Sequence, residues 1–201
     1  MKLFLLSLML SVAPLSAARI FQISVNTQTI SGVNGYLDFQ FNPGGGDSDP
    51  GTAAISLYSG GTLDMAMVAG DVTGSLPGVV TIGNTTGFNN LFQAITFGAQ
   101  VFFWVTIDGP VLNSPDPLST SGSSFSFSMF ADDQVTPLLT DDAFGYAVTI
   151  DAGPQGAIAV SNLARLGVVE ISDVPEPGSV WLALVGMAAI VGGVLRRKIA
   201  G

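Results

Sequence analysis

The chain has 201 residues, a formal net charge of −9 at pH 7, and neither histidine nor cysteine. Those absences exclude disulfide bracing, thiol or histidine-based nucleophilic catalysis, and metal sites that use imidazole. Between residues 19 and 174 only Arg19 and Arg165 are basic, against fourteen acidic residues, so nucleic acid, whose phosphates need clustered Lys and Arg, is excluded as a partner.

Met1-Lys2, the apolar run Leu3–Ala13, the breaker Pro14 and the small residues Ser16-Ala17-Ala18 form a secretory signal peptide over 1–18, cut after Ala18. An exported domain over 19–173 follows, of a length that suits one hydrophobic core.

That domain reads as β throughout. Tyr36–Phe41 alternates Leu37, Phe39 and Phe41 with Asp38 and Gln40, and 123–130 alternates Phe125, Phe127 and Met129 with Ser124, Ser126 and Ser128; period two marks strands with one buried face. Val101–Ile107 (VFFWVTI) is apolar on both faces and reads as a central strand of the core, with Trp104 packed inside. Further strands are expected at 20–27, 52–58, 63–69, 78–82, 91–97, 145–150, 156–160 and 166–171. Asn42-Pro43-Gly44-Gly45-Gly46, Ser59-Gly60-Gly61, Leu76-Pro77-Gly78, Asp108-Gly109-Pro110 and Ser121-Gly122 supply the turns. The expected fold class is all-β, an antiparallel β-sandwich or jelly roll. No repeat of fixed period points to a β-helix.

At the far end, Gly178–Leu195 carries no charged residue. As a helix it reaches about 27 Å, enough to cross a hydrocarbon core of about 30 Å, so one transmembrane helix is expected over 179–195. Arg196, Arg197 and Lys198 form the cytoplasmic stop. Pro175 and Pro177 keep the approach extended. Span and charges alone suit an ordinary C-terminal anchor.

Val174-Pro175-Glu176-Pro177-Gly178, followed by that span and the Arg196-Arg197 pair, resembles the PEP-CTERM sorting signal of bacterial surface proteins. The resemblance covers 174–201: motif 174–178, helix 179–195, basic end 196–198. It implies that Pro175, Glu176 and Pro177 are read by an exosortase-type membrane processing enzyme and that the protein passes from a single-pass inner-membrane intermediate to the cell surface or exterior. The same kind of tail is catalogued on some ice-binding proteins. Gly35–Gly44, Gly70-Asp71-Val72, Leu76-Pro77-Gly78 and Ser121–Phe125 look like an ectodomain type that recurs among PEP-CTERM proteins and implies no activity.

For chemistry, carboxylates remain. Asp132-Asp133, Asp141-Asp142 and the isolated Asp38, Asp64 and Asp108 are the acids available to a glycosidase, which needs two of them converging. Asp47 and Asp49, behind three glycines, offer hard oxygen ligands on a pliable loop and are the candidate calcium ligands; no other cofactor is expected. Tyr58, Trp104 and Tyr146 are the aromatics that could stack on a polysaccharide. Thr27-Gln28-Thr29 is the one short Thr-x-Thr pattern, and Asn84-Thr85-Thr86 a formal glycosylation sequon. The expected function is that of an exported, non-catalytic surface or extracellular-matrix protein. The alternatives are a secreted glycan-binding module and a carboxylate-dependent glycoside hydrolase.

Overall fold

The computed structural model describes residues 18–174. The strands are β1 (Arg19–Asn26), β2 (Asn34–Pro43), β3 (Thr52–Ser59), β4 (Thr62–Ala69), β5 (Val72–Gly74), β6 (Val80–Gly83), β7 (Asn90–Thr96), β8 (Gln100–Asp108), β9 (Ser123–Ala131), β10 (Tyr146–Ala152), β11 (Ile158–Asn162) and β12 (Val169–Val174). One helical turn, α1 (Pro110–Asn113), follows β8 at the expected Asp108-Gly109-Pro110 turn.

The strands form two six-stranded sheets, in the orders β12-β1-β8-β3-β6-β5 and β11-β10-β9-β2-β7-β4. The paired strands are antiparallel. Strands β1, β8, β3 and β6 lie in one sheet and β2, β7 and β4 in the other, so the chain passes back and forth between the layers. The three residues of β5 pair with β6, and β9 to β12 widen both sheets.

The alternation read from the sequence decides which side chains are inside. Leu37, Phe39 and Phe41 from β2 and Phe125, Phe127 and Met129 from β9 are wholly buried and meet Ile23, Val25, Phe103, Val105 and Ile107 of the other sheet. Phe39 lies edge-on to Phe103 at 5.1 Å, and Phe103 meets Phe127 at 4.9 Å. Such tilted ring pairs are favourable beyond the area they bury, and they lock one sheet onto the other. At the β3–β4 turn Gly60 and Gly61 take φ of +134° and +59°, and a Cβ on Gly60 would stand 2.3 Å from the Gln100 carbonyl oxygen. Only glycine fits there.

Three expectations change. Strand β8 is internal to its sheet, but only alternate residues enter the core: Phe102, Trp104 and Thr106 face outward and are half-buried. An aromatic-rich outer face had mimicked a strand buried on both sides. Tyr58 goes inward and its hydroxyl donates to the Gly60 carbonyl at 2.8 Å, because a bulge after Ser56 turns Leu57 out to solvent. β5 had no counterpart among the expected strands. The signal peptide, apart from Ala18, and the tail from Pro175 onward, including the expected transmembrane helix, lie outside the described residues; no described helix is long and apolar enough to cross a membrane.

Candidate functional site

The two ends of the domain meet. β12 is an edge strand whose only partner is β1, with Ile20 opposite Val174 and Phe21 opposite Asp173. The Arg19 guanidinium forms an ion pair with the Asp173 carboxylate and lies 5.7 Å from the Phe21 ring centroid. The expected cleavage site at Ala18 and the start of the expected motif at Val174 therefore stand side by side at one corner. Beside them a surface cavity of about 420 Å³ opens between β11 and β12, lined by Phe21, Ile158, Val160 and Ile171 together with the ion pair. Pro175, Glu176, Pro177, Arg196, Arg197 and Lys198 lie outside the described residues.

The candidate calcium ligands face a loop far along the chain. Asp47 accepts hydrogen bonds from the amide and hydroxyl of Thr120 at 2.8 and 2.6 Å. Hydrogen bonding by Ser121 and Thr120 holds its carboxyl well below the usual carboxylate range. Asp49 accepts from the Asp116 amide at 3.2 Å through both oxygens. Together they latch the 43–50 loop to the 114–122 loop. No group of three or more acidic residues that could hold a metal ion occurs among the described residues.

The other acids are dispersed. Asp133 caps a turn through the Val135 and Thr136 amides, and the Thr136 hydroxyl and these amides pull its pKa down. Asp141 pairs with Arg165 at 2.9 Å, Asp142 accepts from the Phe144 and Tyr146 amides, and Asp108 accepts from Asn113 at 2.7 Å. Asp64 and Asp132, both exposed, border a depression of about 240 Å³ beside Tyr36. Asp38 is different. It is buried on the outer side of β2, where Gln40 donates to it at 2.5 Å and Asn90 at 3.1 Å. Burial raises its pKa against the pull of those two amides.

Two patterns that read as surface motifs are structural. Thr27 is fully buried and its hydroxyl donates to the Gly98 carbonyl at 2.8 Å. Asn84, the sequon asparagine, is buried: it accepts from the Gly51 amide at 2.8 Å and donates to the Asp49 carbonyl and the Ser123 hydroxyl. Sequence gave each of these polar groups a local meaning, whereas their partners lie more than thirty residues away.

The outer faces carry the remaining aromatics. On the sheet containing β2, Tyr36 stacks on Phe92 with centroids 4.6 Å apart and planes 10° off parallel, and Phe92 meets Phe130 at 6.1 Å. On the other sheet Phe102 and Trp104 stand two residues apart along β8, with no ring of the described residues paired to Phe102 or Trp104. The Trp104 indole N–H is the one buried side-chain polar atom among the described residues that lacks a hydrogen-bond partner.

A family model for the PEP-CTERM protein-sorting motif matches residues 173–198. No curated protein and no solved structure matches the chain.

Proposed function

We propose that this chain, which carries a PEP-CTERM sorting motif at residues 173–198, is a non-catalytic surface or matrix protein. The motif itself indicates export and sorting by an exosortase to the cell surface. The observation that carries the finer reading is the overlap of motif and fold. The matched segment begins at Asp173, inside β12, so the sandwich and its sorting signal are joined without a spacer. A folded body attached this closely is the cargo of the signal.

The state of the carboxylates supports a role without catalysis. A glycosidase holds one acid protonated beside a second that stays ionised, both facing the same bond. Here Asp38, the one carboxyl among the described residues whose pKa is pushed up, is held by two amides. Asp47 and Asp133, whose pKa values are pulled down, are spent on loop capping. The reading assigns no metal to the protein and makes the membrane a station on its route, through the helix expected over 179–195, before processing.

Mapping the C-terminus by mass spectrometry, on protein recovered from the host's surface fraction, tests the route. A terminus near Pro175–Gly178 is expected. A terminus still at Gly201 in the inner-membrane fraction would make the tail a plain anchor. Replacing Glu176 by Ala is expected to abolish processing in the native host, and unchanged processing would sink the assignment of Pro175, Glu176 and Pro177.

A further inference from the structure

We propose that the outer face of the sheet containing β8 binds a neutral polysaccharide, with Phe102 and Trp104 as its stacking platform. The two residues alternate outward along one strand, which sets their Cα atoms about 6.6 Å apart, a spacing suited to successive units of a sugar chain. Around them the register places Gln22 and Ser56 opposite Trp104, Ser24 opposite Phe102, and Thr106 next along the strand. These are amide and hydroxyl groups flanking two rings, the chemistry that a pyranose presents in reverse: C–H faces for the rings and hydroxyls for the polar rim.

Two observations choose this face and this ligand. Tyr36 and Phe92 on the opposite sheet cover each other's ring faces, whereas neither Phe102 nor Trp104 is paired with another ring among the described residues. The indole N–H is buried and has no acceptor among the described residues, so a ligand meets the half-buried ring of Trp104 and not its donor. Charge then decides between occupants. The centre of the face is uncharged, with Asp108 and Glu170 only at its margins, in a domain of fourteen acidic and two basic residues. Pairing with a second copy, or binding an anionic polysaccharide, would bring like charges together. A neutral chain meets no such penalty.

Only two tryptophans occur in the chain, and the second, Trp181, lies in the tail. The full-length protein with Trp181→Phe, in a polyoxyethylene detergent free of sugar, therefore reports on this face alone through its fluorescence. Titration with hydroxyethyl cellulose and with dextran is expected to give a saturable change in Trp104 emission with at least one of them, and alginate none. Phe102→Ala is expected to weaken binding about tenfold, with cooperative thermal unfolding retained to show that the fold is intact. No response to either neutral glucan overturns the proposal. So does an emission change that follows protein concentration instead, which would assign the face to a second copy. The unprocessed chain is used throughout, so the outcome does not depend on the sorting reading.

Discussion

Asp47 illustrates how a residue's type can be legible while its task is not. An aspartate behind three glycines has the chemistry of a calcium ligand, and in the fold its Oδ2 accepts from the amide and hydroxyl of Thr120, seventy-three residues on. No local pattern could announce that partner. The latch has a consequence for pH. Because the folded-state pKa of Asp47 is lowered from 3.8, its ionised form favours folding. That contribution is complete above the unfolded value and disappears as pH falls through the folded one. Asp47→Asn is therefore expected to lower the melting temperature at pH 7, with the gap to the parent protein closing as pH is taken below about 3.8. Calcium and EDTA are both expected to leave the melting temperature unchanged; a rise with calcium would return Asp47 and Asp49 to the role of ligands.

At the scale of elements, period-two alternation was the dependable signal. It located β2 and β9, with Leu37, Phe39 and Phe41 opposite Asp38 and Gln40, because one face of each strand carries apolar side chains into the core and the other carries polar ones, even where Asp38, Ser126 and Ser128 are themselves buried. It failed at β8, where outward Phe102 and Trp104 are as apolar as inward Phe103 and Val105, so hydrophobicity could not separate the faces. It also missed β5, whose three residues after Gly70 are too few to establish a period. The distinction between faces is measurable. Phe39→Ala removes a ring that touches both Phe103 and Phe127 and is expected to cost about 3–5 kcal/mol. Phe102→Ala, on the outer side of β8, is expected to cost less than about 1 kcal/mol. Denaturant unfolding of the two variants checks the assignment, and equal losses would contradict it.

For the whole molecule, the joint between sandwich and sorting signal is the distinctive feature. Pro175 follows directly on the last residue of β12, so a processing enzyme that reads Pro175, Glu176 and Pro177 must work within three residues of a paired strand. Inserting six Gly and Ser residues between Val174 and Pro175 is expected to speed conversion to the processed form, followed by immunoblot in the native host. A rate that is unchanged or slower would mean that the folded edge offers no obstacle. The sorting signal was readable from its own residues because its elements are contiguous in sequence. Its closeness to the domain's first residue was not, since that depends on β1 and β12, more than 140 residues apart, becoming neighbours.

The same pairing sets the mechanical character of the domain. β1 and β12 run antiparallel, and the strand ends that lead out of the domain, at Arg19 and Val174, are adjacent. Tension between the two termini would load the intervening hydrogen bonds one after another, as in a zipper, rather than all at once in shear. A sandwich whose interlocked aromatic core opposes thermal unfolding would thus begin to open under modest force, peeling from the corner where Arg19 and Val174 meet.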